Sequence, residues 1–289
     1  MTLLKGMNVW TLPAGLTIEE QFALTKDANF DTIELNLSES QPQDNIVSKD
    51  LALNDSPTLT LDVTQEELAA IKALSEKYEL PITSISTSLH WNYSLTDHDE
   101  TTRQKGIAIV KKMIDVCKAL GGDTVLVVPG LVKQTESYDD CYDRALAALK
   151  ELAPYAEANE IYIGIENVWN KFLLSPIETR DFIDKIDSPF VGMYFDAGNV
   201  LQFGFPEQWV RILGNRIKKI HVKDFNTGIG NIYGFTTLLN GSLNWVHLVE
   251  AIHEIGYTGP LTCELSAYTE NGQQIAYDTS RALDYIVNL

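Results

Sequence analysis

Strand-like runs alternate with helix-like segments eight times along this 289-residue chain. A strand followed by a helix, repeated, delivers each new strand parallel to the last, because the crossover returns the chain to the same end of the sheet. Eight such units with mostly short connections close into a (β/α)8 barrel, for which about 250 residues is typical. An open doubly wound sheet would carry a GxGxxG turn after its first strand, whereas the residues after Trp10 read TLPAG. The expectation is an α/β protein, a (β/α)8 TIM barrel forming one domain over residues 1–289.

The units read in order. Residues 4–10 form the first strand, and Thr17 with Glu20 three residues on has the capping-box spacing that opens a helix. Residues 31–37 alternate strictly, with Ile33, Leu35 and Leu37 on one face and Thr32, Glu34 and Asn36 on the other. Residues 38–60 are polar, hold Pro42 and Pro57, and read as an inserted loop with room for a small hairpin. Thr64 and Glu67 repeat the capping box, and Pro81 stops the helix that follows. Residues 82–88 make the third strand, 100–120 a helix closed by Gly121 and Gly122, and 123–129 the fourth strand. The helix over 137–158 is expected to kink or restart at Pro154. Strands five, six and seven begin at Ile161, Val191 and Ile217, with helices from Pro176 and Pro206 between them. A Gly- and Asn-rich loop over 226–243, a helix over 244–255, a strand over 261–266 and a helix over 273–287 complete the chain.

Four strands end alike. In IYIGIEN, VGMYFDAGN, IKKIHVKDF and LTCEL, the residues Glu166, Asp196, His221 and Glu264 oppose apolar sets such as Ile161, Ile163 and Ile165. In a barrel one parity packs on the helices, the other lines the interior, and the C-terminal strand ends form the ligand-binding mouth. Successive candidates are 30, 25 and 43 residues apart, one strand-helix unit each, which puts them on neighbouring strands. Alone, such a carboxylate is commonly a cap, and a strand histidine commonly a hydrogen-bonded core residue. Three carboxylates converging with an imidazole repel one another unless a cation or protons compensate. A divalent metal does so directly, and the oxygen-rich set suits Mn²⁺ first, then Mg²⁺, with Zn²⁺, Co²⁺ or Fe²⁺ as alternatives. No organic cofactor is expected.

Composition narrows the partners. A net charge of -18 argues against a protein that works by neutralising nucleic-acid phosphates. Cys117, Cys141 and Cys263 are odd in number and widely spaced, which indicates neither a disulfide framework nor a zinc cluster and suits a reducing compartment. No apolar run approaches the roughly 18 residues of a membrane span. The chain therefore reads as a cytoplasmic protein with a small-molecule partner, no nucleic acid, no membrane, and room for homo-oligomers.

The runs IGIENVW, YFDAGN, KIHVKD and CELS, in this order and spacing, resemble the xylose isomerase-like TIM-barrel superfamily. Within it the pattern is most similar to the sugar and sugar-phosphate 3-epimerases, the L-ribulose-5-phosphate type first and the D-tagatose type a little further off. DTIELNLSES around Glu34, the His90 loop and GYTGPLTCE extend the likeness over most of the barrel. The resemblance implies that Glu166, Asp196, His221 and Glu264 are metal ligands, and that Glu166 and Glu264 are also the acid/base pair. It implies 3-epimerisation of a ketose or ketose phosphate. On that resemblance the metal would polarise the C2 carbonyl, one Glu would take the C3 proton to leave a metal-bound cis-enediolate, and the other would return a proton from the opposite face.

The tagatose pattern has a histidine three residues after the metal Asp and an arginine six after the metal His; Asn199 and Thr227 hold those positions here. This leaves the chain nearer the ribulose-phosphate type and makes Asn199 a candidate substrate contact. Lys223 and Asp224 are further candidates for substrate oxygens, with a structural Lys-Asp pair as the alternative. His90 resembles the family's loop histidine, and Glu34 reads as a residue that contacts substrate or orients a neighbour. Trp10 and Trp169 offer apolar walls to a sugar's C–H face, and the backbone amides of residues 227–231 offer a phosphate anchor. An aldose-ketose isomerase or an inosose-type dehydratase would use the same site. A DNA-repair endonuclease of this superfamily needs more histidines than the five present. A non-catalytic sugar-binding barrel is the remaining alternative.

Overall fold

A computed structural model describes residues 3–40 and 58–289. Eight parallel strands form its frame: β1 (Leu4–Asn8), β2 (Thr32–Ser38), β3 (Ile82–Ser86), β4 (Thr124–Val127), β5 (Tyr162–Glu166), β6 (Val191–Asp196), β7 (Ile217–Val222) and β8 (Pro260–Cys263). They follow one another around the ring in chain order, and β1 pairs with both β2 and β8, so the sheet is closed. Outside it lie α1 (Ile18–Asp27), α2 (Gln65–Lys77), α3 (Glu100–Leu120), α4 (Tyr138–Asn159), α5 (Pro176–Ile186), α6 (Pro206–Leu213), α7 (Trp245–Glu254) and α8 (Gln274–Ile286).

The apolar core lies between strands and helices. Ile163, Ile165, Met193, Phe195, Ile220, Val222, Leu261 and Cys263, one parity of four strands, are all buried there, and each large side chain so buried stabilises by about 1.5–3 kcal/mol. Both expected capping boxes form: Thr17 and Thr64 each exchange bonds with a glutamate three residues on, a cap costing about 1 kcal/mol to remove. Gly121 closes α3 with φ +84°, a left-handed conformation that glycine adopts without strain. The helix does not restart at Pro154, for α4 runs through it. Proline removes one backbone donor, and Leu149, Leu152, Ala153 and Ala156 bury the inner face on either side of it.

Several boundaries differ from the sequence reading, β4 ending at Val127 and β8 at Cys263, each short of its expected end. β1 stops at Asn8, whose side chain accepts from Trp10 N at 2.7 Å and turns the chain into a 3-10 turn. β3 stops at Ser86, and Leu89–Trp91 forms a similar turn. The loop after β7 folds back on itself, pairing Phe235–Thr236 antiparallel with Asp224–Phe225. The hairpin expected within residues 38–60 falls mainly on 41–57, outside the described residues; Leu59–Thr60 pairs parallel with Leu37–Ser38 at the end of β2.

The barrel interior is polar. Asn8, Glu34, Ser84, Tyr194 and His221 all point inward with 0% exposure. Gly164 makes room for the largest of them, since a Cβ there would approach Tyr194 Cβ to 3.0 Å. The three cysteines are free and buried. Among the described residues no helix is long and apolar enough to cross a membrane.

Candidate active site

The last four strands deliver the four candidate ligands to the C-terminal mouth. Asp196 stands beside His221 in the pairing of β6 with β7, Glu166 beside Tyr194 in that of β5 with β6, and Glu264 follows the end of β8. One ligand atom from each of the four lies within 4.8 Å of the other three. His221 Nδ1 is 3.4 Å from Glu166 Oε1 and 3.7 Å from Glu264 Oε2. Asn167 fixes the neighbouring backbone: its Nδ2 donates to Asp196 O at 2.8 Å and its Oδ1 accepts from Asp196 N at 2.9 Å.

His221 is held from below by Glu34, whose Oε1 lies 2.8 Å from Nε2. Asn8, Ser84 and Tyr194 also donate to Glu34, so its two oxygens are occupied beneath the site. Burial would raise the Glu34 pKa, yet His221 and the hydroxyl donors together lower it, and the group is a carboxylate. An ionised Glu34 accepts the Nε2 proton and leaves Nδ1 aimed at the mouth, as in a carboxylate-histidine-metal relay.

Charge at the mouth is unbalanced. Burial and the Glu264 charge raise Glu166 to about 7, and burial with the same neighbour raises Asp196. Glu264 is also buried, but Lys223 and His221 outweigh this and lower its pKa. Burial opposes protonation of His221, while the Glu34 and Glu264 charges win and raise it. Two like charges about 4 Å apart repel by roughly 4 kcal/mol at an effective dielectric near 20, so this cluster favours any added positive charge. Glu166 Oε1, Asp196 Oδ2 and His221 Nδ1 are buried without a hydrogen bond. Asp196 Oδ2 forms an ion pair with Lys223, at 2.7 Å. Buried polar atoms are seldom left so, and three of them on one imidazole and two carboxylates fit a divalent cation.

A cavity of about 490 Å³ opens above this cluster. Glu166, Glu264, Lys223, Asn199 and Trp169 line it, as does Trp10, while Asp196 and His221 lie beneath, fully buried. Trp169 donates from Nε1 to Asn199 O at 2.9 Å and packs on Phe225 and Phe235. The loop after β7 contributes Ile232, Phe235, Thr236 and Thr237 to the wall.

Three expectations meet different surroundings, and Glu34 takes the second of its two expected roles, orienting a neighbour. Asp224 is buried away from the cavity and accepts from Phe225 N, Leu243 N and Trp245 Nε1, which anchors the two ends of the loop. Glu34 forms the support under His221 and is not a lining residue. His90 is also off the lining: its Nδ1 accepts from Val128 N at 3.3 Å and burial lowers its pKa to about 4, so it is a neutral ring. Of the amides of residues 227–231, those of Thr227, Gly228, Ile229 and Gly230 are bonded to Ser242 or Asn226 within the loop. Residues that were not singled out include Trp91, Thr87, Ser88, Ser266 and Tyr268 on the cavity wall. Tyr194 in the interior was signalled by parity, two residues before Asp196.

Comparisons with known proteins agree with this architecture. A family model described as xylose isomerase-like TIM barrel matches residues 22–286. L-ribulose-5-phosphate 3-epimerase UlaE of Salmonella paratyphi A is 22% identical over 282 residues, covering 97% of this chain and 93% of that protein. A solved D-tagatose 3-epimerase-like protein superposes with a TM-score of 0.79 at 19% identity, covering 99% of this chain and 97% of that one. L-ribulose 3-epimerase does so at 0.76 and 18%, covering 99% and 95%. At such identity the solved structures speak for the shared barrel.

Proposed function

The chain belongs to the xylose isomerase-like TIM barrel family, and we propose that it is a divalent-metal-dependent 3-epimerase of a ketose or ketose phosphate. One observation carries the reading. Glu166 and Glu264 follow from β5 and β8, on either side of the strands bearing Asp196 and His221, and both border one cavity. Inversion at a carbon needs a proton removed on one face and another supplied on the opposite face, which two carboxylates flanking the substrate can do. The similarity to UlaE, an L-ribulose-5-phosphate 3-epimerase, supports the same chemistry.

Glu166, Asp196, His221 and Glu264 would hold the ion, Mn²⁺ by preference. When bound, it would polarise the ketose C2 carbonyl and make the C3 proton acidic. The protein's own residues divide the rest. One of Glu166 and Glu264 removes the C3 proton and the other returns one from the opposite side. In the reverse direction they exchange duties. Trp169 presents an apolar wall to the sugar's C–H face, Asn199 and Lys223 meet its oxygens, and Glu34 keeps the His221 ring in place. We assign His90 and Asp224 to support of the walls.

The experiment is incubation of the Mn²⁺-loaded protein with ketopentoses, ketohexoses and their phosphates in D₂O. Deuterium entering at C3 with inversion is the expected result. Label entering only at C1 would move the protein to the aldose-ketose isomerases, and absence of exchange across the panel would refute both.

A further inference from the structure

Lys223 grips the carboxylates that would grip the ion. Its Nζ lies 2.7 Å from Asp196 Oδ2 and also bonds Glu264 Oε2, the oxygen that faces His221 Nδ1 at 3.7 Å. The side chain is 11% exposed. Its stem is confined by Gly198, where a Cβ would come within 2.5 Å of Lys223 Cγ. Its ammonium stands 5.3 Å from the centre of the Phe235 ring and borders the cavity. The stem is therefore fixed in a groove while the charged tip has two places to go: down onto the carboxylates or up into the cavity.

An ammonium and a divalent ion placed on the same carboxylate oxygens repel each other as like charges and compete for the lone pairs that point into the site. We infer that Lys223 is an internal counter-cation that the metal ion displaces. In the metal-free protein it partly offsets the charge of Asp196 and Glu264. Loading the ion releases its tip to the cavity, where it meets a substrate oxygen. The inference rests on the metal-site reading above and adds two consequences to it. Lys223 lowers the affinity for the ion, and the full set of substrate contacts exists only after the ion is in place, so binding is ordered with the metal first.

The test is calorimetric titration of Mn²⁺ into chelator-stripped wild-type protein, Lys223→Met and Lys223→Gln, with melting temperatures recorded on the stripped proteins. Removing the competitor should tighten Mn²⁺ binding at least about tenfold, while lowering the melting temperature of the stripped protein by leaving buried carboxylates unpaired. Lys223→Gln keeps a stem and a neutral donor and carries the test should the methionine variant fail to fold. Affinity unchanged or weakened in the folded variants, with the wild type binding Mn²⁺, would overturn the exchange and leave the metal site standing. Failure of the wild type to bind any Mn²⁺ would overturn the metal site itself, and the exchange with it.

Discussion

His221 Nε2 lies 2.8 Å from Glu34 Oε1, at a depth where both side chains are 0% exposed. The contact spends one ring nitrogen on an acceptor that Asn8, Ser84 and Tyr194 hold in place, and it turns Nδ1 toward Glu166 and Glu264. Glu34→Gln keeps the shape and removes the charge that favours this orientation. Mn²⁺ affinity measured by calorimetry should fall by roughly 10- to 100-fold, the usual effect of losing such a support. An unaltered affinity in a folded variant would show that packing alone holds the ring.

Glu166→Gln and Glu264→Gln are each expected to lower epimerisation by about 10²- to 10⁴-fold, the range for one general acid or base. They should also differ in a way that bulk activity does not reveal. Each variant retains one carboxylate, so each should still exchange the C3 proton of one epimer in D₂O without inverting it, and the two variants should prefer opposite epimers. Full epimerisation by either would remove that residue from the mechanism.

Dependence on pH follows from the shifts at the mouth. Glu166 rises from 4.5 to about 7 on burial and by the Glu264 charge. A raised carboxyl holds its proton more tightly in the folded state, so it lowers the stability of the metal-free protein as pH climbs from about 4.5 through about 7. His221 acts in the same direction: its pKa is raised above 6.5 against burial by Glu34 and Glu264, and the stability it confers is lost as pH rises through its folded value. Glu264 is lowered, and its contribution disappears only as pH falls below its unfolded value of 4.5. The melting temperature of chelated protein should therefore decline between about pH 5 and about pH 8, less steeply in Glu166→Gln. Mn²⁺ affinity should rise over that window, since the ion displaces protons from its ligands; calorimetry in buffers of different ionisation heat would count them.

Asp224 tests the boundary between site and scaffold. Its carboxylate accepts from Leu243 N at 3.1 Å and Trp245 Nε1 at 3.1 Å, tying the return of the long loop to the base of α7. Asp224→Asn should cost roughly 1–3 kcal/mol in urea unfolding, the range for a hydrogen bond to a buried charge. The KM for the sugar should change little, because the side chain lies off the cavity. A large rise in KM with unchanged stability would restore Asp224 to the substrate contacts.

The legible part of this molecule was the part governed by period two. In a closed barrel, strand parity converts directly into inside or outside, so Glu166, Asp196, His221 and Glu264 converge as their alternation with Ile165, Phe195, Val222 and Cys263 requires. Parity also puts Asp224 with Val222, away from Lys223. The loop after β7 has no period, and its amides are taken by Asn226 and Ser242 through turns that no residue pattern announces. His90 likewise sits on a short turn, where the depth of burial depends on neighbours brought from elsewhere in the chain.

Glu264 follows the strand that closes the ring. β8 slots between β7 and β1, with Thr262 beside His221 on one side and Gly6 on the other, and Cys263 Sγ meets Met7 Sδ at 3.6 Å across 256 residues of chain. A polypeptide leaving the ribosome holds Glu166, Asp196 and His221 well before it holds the fourth member. Until β8 docks, the nascent sheet keeps two open edges, the state most exposed to aggregation and proteases. An ion held by all four residues would bind tightly only after closure and would draw the last folding step forward by mass action.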